Sequence, residues 1–292
     1  MPAGNGDLSL NVWMEESGDL LFYLGKTDSW DDNCRLLKLG RLRVRLNPNP
    51  LLKSKAFKQT LKLNEAAVEI NCGQGQERVD LSVWADANYP VIHVAVKSKN
   101  PVEATASIEL WRTTPYELPT IEVSDVHFDH YVPGNKHFPT IVEPDTVLTG
   151  LKDRIGWYHH NRKSVGPALA AKLQDMEGFK QEDPILHRTF GAVITAERAE
   201  KIDDLNLRSP AATSHLFSIY VLTKHPSSPE EWLKSVEGLM AATEKIPFTT
   251  RLQVHRQWWE QFWRRSWIDI HSTSPNDDTY ILSRAYVLQR FI

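Results

Sequence analysis

Apolar and polar residues alternate in one segment of this chain after another, and a period of two restricts such segments to strands with one buried face. Leu8, Leu10 and Val12 make the first set; residues 20–24 make the second, after the turn Glu16-Ser17-Gly18-Asp19. Together they predict a hairpin. Leu39, Leu42, Val44 and Leu46 continue the pattern with Arg41, Arg43 and Arg45 on the opposite face, until Asn47-Pro48-Asn49-Pro50 stops the strand. Val68, Ile70 and Cys72 follow, then a turn at Gly73-Gln74-Gly75, then Val79, Leu81, Val83 and Ala85. Asn88-Tyr89-Pro90 and Asn100-Pro101 bound two further strands, over 91–97 and 102–112. Strands recurring this closely through tight turns predict an antiparallel sandwich rather than βαβ units. The Pro- and His-rich stretch 113–150 reads as long loops carrying one or two strands. Strands resume at 154–160, 188–196 and 214–224, with a short helix over 168–176.

The period changes at Ser227. Ser228 caps a helix, Pro229 occupies its first turn, and Glu230 and Glu231 favour its positive end; the helix runs to about Lys245. A second helix starts after Pro247 with Thr249 or Thr250 as cap and carries the sequence HRQWWEQFWRRSW over 255–267. Trp258/Phe262 and Trp259/Trp263 are i,i+4 pairs on adjacent ridges of that helix, a face that requires burial. Its place between a β pattern and a helical one makes it an expected clamp between two domains. Arg256, Arg264 and Arg265 also fit a membrane-surface or calmodulin-type segment, but tryptophans on two adjacent ridges favour burial against protein. Asn276-Asp277-Asp278 caps a last helix with apolar positions at Tyr280, Ile281, Ala285, Leu288 and Phe291. The expected division is a β domain over 1–226, linker helices over 227–271, and the start of a helical domain over 272–292.

Composition narrows the partners. A chain of 292 residues with 41% hydrophobic and 24% charged residues has ample core and is neither disordered nor membrane-like in composition. A formal net charge of −3 without a basic stripe argues against nucleic acid. The longest apolar run, near 216–222, is too short to cross a bilayer. The opening MPAGNGDLSL has neither the cationic start nor the apolar stretch of a signal peptide. Cys34 and Cys72 make at most one disulfide and do not identify the compartment. Ten tryptophans are the outlier, suited to large interdomain contacts or sugar-stacking surfaces.

The opening Pro2-Ala3-Gly4-Asn5-Gly6-Asp7-Leu8, followed far downstream by His255, Trp258-Trp259 and Phe262-Trp263-Arg264-Arg265-Ser266-Trp267, resembles the amino-terminal β-supersandwich and linker helices of six-hairpin glycosidases. Within that group it resembles glycoside hydrolase family 95, and it looks more similar still to an uncharacterised bacterial amino-terminal domain family. The resemblance implies a mainly β fold: an antiparallel β-supersandwich, linker helices, and the first helix of a truncated (α/α) six-hairpin barrel. It also implies a periplasmic or secreted parent. The family's chemistry is inverting, with one carboxylic acid protonating the leaving oxygen while another carboxylate activates water. In the relatives those groups lie in the barrel. Six hairpins at roughly 11–12 residues per helix need about 130 residues before loops, more than follow Arg265. The chain is therefore expected to be a non-catalytic amino-terminal domain whose missing barrel packs on Trp258, Trp259, Phe262 and Trp263. The alternative is a stand-alone carbohydrate-binding or structural β-sandwich module.

No catalytic residue and no cofactor is assigned. Candidate carbohydrate-binding residues are Trp30 and Asp31, an aromatic platform beside the carboxylates Asp28 and Asp32, and Trp157, His159 and Asn161, which share one face of a strand. The bland alternatives are an acidic loop and an ordinary packed strand. Gly4-Asn5-Gly6 reads as a tight turn rather than a phosphate loop, since a strand follows it. His127, Asp129, His130 and His137 match no closed zinc spacing, so no metal is assigned. A Ser-His-Asp hydrolase would need a G-x-S-x-G elbow, which the chain lacks. Asp277 and Asp278 are explained as helix-capping residues.

Overall fold

The computed structural model describes residues 1–52, 54, 56–119, 122–123, 140–179, 182–271 and 274–291. Its first four strands, β1 (Pro2–Gly4), β2 (Leu8–Met14), β3 (Leu20–Trp30) and β4 (Leu36–Asn47), form an antiparallel meander. Next come β5 (Phe57–Lys62), β6 (Ala67–Cys72), β7 (Val79–Ala85) and the long β8 (Val91–Glu109). β9 (Tyr116–Glu117) and β10 (Ile141–Val142) make a separate two-stranded ribbon. The rest of the main sheet comprises β11 (Thr146–Val147), β12 (Ile155–His160), β13 (Thr189–Ala196), β14 (Glu200–Lys201) and β15 (Asn206–Lys224). The chain is mainly β, as the alternation predicts. β5 was not anticipated, because its residues are exposed or half-buried and alternate weakly.

Two strands of 19 residues, β8 and β15, serve both layers of the sandwich. The first half of β8 pairs with β7, from Ala85↔Ile92 to Val79↔Ser98. Its second half pairs with β4, from Asn47↔Glu103 to Arg41↔Glu109. β15 accompanies β8 along both halves, with register shifts between Ser209 and Ser214. Pro101 and Pro210 sit where this pairing is disturbed, as expected of residues that withhold an N–H from the ladder. Asn100-Pro101 therefore marks a switch between layers inside one strand, and not the break into two strands that the sequence implied. Between the layers lies a single core that draws Leu10, Phe22 and Leu42 from one side and Ile70, Val83, Val94 and Phe217 from the other. On the polar face of β4, Arg43 reaches Glu109 at 2.6 Å, Glu15 at 2.7 Å and Asp19 at 2.8 Å.

Helix α1 (Gly166–Leu173) lies in the connection between β12 and β13. α2 (Pro229–Glu244) opens with a complete capping box: Ser228 Oγ accepts from Glu231 N at 3.2 Å, and Glu231 Oε2 accepts from Ser228 N at 3.1 Å. Its Trp232, Val236 and Met240 pack on Val91, Val193 and Tyr220, and Trp232 Nε1 donates to Leu222 O at 2.8 Å. α3 (Phe248–Arg264) has Pro247 at its cap and no side-chain cap, so the expected Thr249 or Thr250 cap is not used. α4 (Asp278–Phe291) is capped by Asp277, whose Oδ1 accepts from Thr279 N at 2.8 Å and Tyr280 N at 3.1 Å. Among the described residues no helix is long and apolar enough to cross a membrane.

The aromatic face of α3 divides into two. Arg251, His255, Trp259 and Trp263 form a slanting i,i+4 stripe that is buried, whereas Trp258 and Phe262 are half-buried and stack on each other at 5.6 Å. Trp263 Nε1 donates to Leu63 O at 2.8 Å, and His255 Nε2 lies 2.8 Å from Glu65 O while its Nδ1 accepts from Ala87 N at 3.1 Å. Both His255 contacts are satisfied by one neutral tautomer, and burial holds its pKa below the usual histidine value. Arg290 of α4 covers the second ridge, 4.6 Å from the Phe262 ring centre. Trp259 and Trp263 are covered within this chain, on one side by the turn around Ala66 and on the other by Val287 and Phe291 of α4, so α3 packs between the β unit and the last helix. Trp259→Ala should therefore cost about 3–5 kcal/mol in urea unfolding, and Trp258→Ala less than half of that; equal losses would contradict the division.

Candidate functional site

The carboxy-terminal ends of β3 and β12 meet. After Trp30 the chain turns tightly: Asp31 N donates to Arg35 O at 2.9 Å, and Cys34 N donates to Asp31 O at 3.1 Å. Asp31 Oδ1 accepts from Asn33 N at 3.0 Å and Arg35 N at 2.8 Å, so the carboxylate organises its own loop. Cys34 sits in the left-handed region at φ 59°. From the other side, Asn161 Nδ2 donates to Trp30 O at 2.9 Å and to Ile185 O at 3.0 Å. His159 Nδ1 is 3.0 Å from Asp145 Oδ1, and Asp145 in turn is paired with Arg112 at 2.9 Å. With Nδ1–H donating to that carboxylate, Nε2 is left as an acceptor.

Four polar atoms of this cluster are buried without a hydrogen-bond partner among the described residues: Asp31 Oδ2, His159 Nε2, Asn161 Oδ1 and Arg35 Nη1. Buried polar atoms are normally satisfied, so unpaired ones gathered in one place mark a polar space that takes water or ligand groups. The cluster offers acceptors on three side chains and a donor on Arg35, and Trp30, whose backbone oxygen joins it, is 38% exposed. Burial raises the pKa of Asp31 above the usual carboxylate range. For Asp32, burial first and the Asp31 charge second push it to about 6. Asp28 takes no part, being paired with Lys26 at 2.9 Å.

Trp157 is a correction. It is only 1% exposed, its indole N–H donates to Leu39 O at 2.9 Å, and Gly40 makes room for its ring, since a Cβ there would lie 3.0 Å from Trp157 Cζ2. Its face is not open to a sugar. Trp157, His159 and Asn161 do share one side of the strand, as alternation requires, but that side is the buried one. Arg112, Arg35 and Asp145 were missed; Arg112 and Asp145 are brought together by loops with no periodic pattern. The Gly4-Asn5-Gly6 turn is as expected, with Gly6 at φ 88° and Asn5 Oδ1 accepting from Asp7 N and Leu8 N. Among the described residues no cluster of His, Cys, Asp and Glu is placed to hold a metal ion. His127, Asp129, His130 and His137 lie outside the described residues.

Residues 1–268 match the family described as a domain of unknown function, DUF5703. The chain belongs to this family. No curated protein matches this DUF5703 chain. Among solved structures it is similar to a "Putative kojibiose phosphorylase from human microbiome", with a TM-score of 0.50 and 8% identity, over 99% of this chain and 39% of that one. The likeness is one of fold, and the DUF5703 chain spans 39% of the length of that structure.

The raised carboxyl gives a signed prediction. A carboxyl whose pKa is higher when folded adds stability that is fully present below its ordinary 3.8 and is lost as pH rises through about 6. Asp32→Asn keeps the oxygen that accepts from Asn33 Nδ2 and should raise stability by about 1–3 kcal/mol near pH 7.5, with almost no effect below about pH 4. Urea unfolding at the two pH values checks this; equal effects at both would contradict it.

Proposed function

We propose that this DUF5703 chain is the non-catalytic amino-terminal β domain of a glycoside-hydrolase-like protein acting on poly- or oligosaccharides. The observation that supports the reading is the shared fold: 99% of the chain aligns with part of a protein titled "Putative kojibiose phosphorylase from human microbiome", a title that names an enzyme of glycosidic bonds. In this reading the parent is a six-hairpin glycosidase of the family 95 kind. Its acid and base carboxylates belong to an (α/α) barrel that docks on the side of α3 and α4. Trp267 at 64% exposure, together with Tyr280, Ile281, Leu282 and Leu288, gives that side an apolar surface suited to a second domain. Trp258 and Phe262 form its half-buried inner edge, while Trp259 and Trp263 are already covered.

A second reading, a carbohydrate-binding module, is favoured by the unpaired atoms of Asp31, His159 and Asn161 beside the half-open Trp30. In that role Trp30 stacks on a sugar ring while the buried acceptors receive its hydroxyls.

Two measurements test these readings. The purified chain should release no sugar from aryl glycosides above the uncatalysed rate; enzyme-like turnover would overturn the non-catalytic assignment. Oligosaccharide titration followed by tryptophan fluorescence should lose about tenfold or more in affinity in Trp30→Ala if the cluster is a binding site. Unchanged binding in that variant removes the second reading and leaves the first.

A further inference from the structure

At the opposite end of β13 from the Trp30 cluster, α2 and the start of α3 lean over β13 and β15 and enclose a cleft of about 740 Å³, within the range of small-molecule sites. Ser218 and Tyr220 contribute to its sheet wall, Met240 and Ile246 to its helical wall, and Arg251 reaches in from α3.

Arg251 is 7% exposed, yet no hydrogen bond or ion pair among the described residues engages its guanidinium, and its Nε and Nη1 are buried without a partner. It rests on the Phe248 ring, with 5.7 Å from guanidinium carbon to ring centre. Phe248 is itself wedged against Trp84 at 5.8 Å and His93 at 5.5 Å. The two buried imidazoles nearby stay neutral and so add no second charge. His93 is pushed down to about 3 by burial and then by the Arg251 charge itself, and burial also lowers His255. Asp86 is close enough to feel Arg251, but its Oδ1 accepts from Asn88 N at 2.8 Å and Tyr89 N at 3.2 Å and it makes no ion pair with the guanidinium among the described residues. A guanidinium removed from water without a partner is costly, and an anion delivered by a ligand relieves that cost.

The remaining lining chooses among anions. Arg154 is committed to Asp153 at 2.9 Å, and Glu197, Glu237 and Glu244 stand around the same cleft. Tyr220 Oη donates to Glu244 Oε1 at 3.4 Å. Arg198 lines the exposed side of the cleft, so a phosphate or other multiply charged group would meet three glutamates against one buried and one exposed guanidinium free of ion pairs among the described residues, a poorer match than a single negative charge. A ring bearing one carboxylate and several hydroxyls is complementary: its carboxylate meets the guanidinium of Arg251 from the side of Nη2, its hydroxyls donate to the glutamates, and its C–H face lies on Phe248 and Ile246.

We propose that this cleft binds a uronic acid, one hydroxylated monocarboxylate sugar unit, with Arg251 as its anchor. The site is separate from the Trp30 cluster, and the inference does not depend on a glycosidase parent.

Calorimetric titration of the full chain with galacturonate and glucuronate, with galactose, glucose and inorganic phosphate as controls, tests it. One of the two uronates should bind, its neutral sugar at least about tenfold more weakly, and phosphate no better than the neutral sugar. Arg251→Gln should abolish uronate binding and leave the ligand-free chain as stable or more so, because an unpaired buried charge has been removed. Glu237→Gln, an exposed change that leaves folding intact, should weaken the same binding by a few-fold. If neither uronate saturates, if phosphate is preferred, or if both variants bind like the unaltered chain, the proposal is overturned.

Discussion

Everything in this molecule hangs on one pair of strands, β8 and β15, hydrogen-bonded to each other and shared between two layers. Because their ladder passes from one layer to the other at Pro101 and Pro210, the two halves cannot separate without breaking the longest pairing in the chain. The common core is the result. The two helices after β15 follow from the same constraint. β15 delivers the chain to Ser228 beside the outer face of β13, where Trp232, Val236 and Met240 find an apolar surface. The reversal at 245–247 then carries α3 to the turn around Ala66, where His255 and Trp263 bond the backbone of residues 63–65.

The sheet was legible because burial and alternation are the same signal: Leu8, Leu10 and Val12, or Val79, Leu81 and Val83, report a face directly. The helix starts were legible where a side chain caps, at Ser228 and Asp277, and not at Pro247, where none does. What alternation cannot report is which layer a strand joins, and so Asn100-Pro101 reads as an end rather than a switch. Nor does helical spacing say which of two adjacent ridges is covered. Trp259 and Trp263 are separated from Trp258 and Phe262 only by the direction from which residues 63–66 approach.

The candidate site was legible in part, and for an informative reason. Trp30, Asp31, His159 and Asn161 attracted notice by residue type, and the fold brings them to one place at the ends of β3 and β12. Trp157 attracted notice in the same way and is a core residue, because stacking competence and core packing use the same side chain. The Arg112–Asp145–His159 chain, which sets the tautomer of the site histidine, depends on tertiary proximity alone. Arg251 belongs to the same class: its spacing places it on the buried stripe of α3, but only the surrounding neutral histidines and occupied carboxylate reveal an unmatched charge.

Helix α3 is a structural member of the sandwich, held by the bonds of His255 and Trp263 to the backbone of residues 63–65. Native-state hydrogen exchange tests it most directly. The account predicts that the amides of residues 255–263 open with the same free energy as the central amides of β8 and β15. Exchange of that helix at a much lower free energy, while β8 and β15 stay protected, would contradict it.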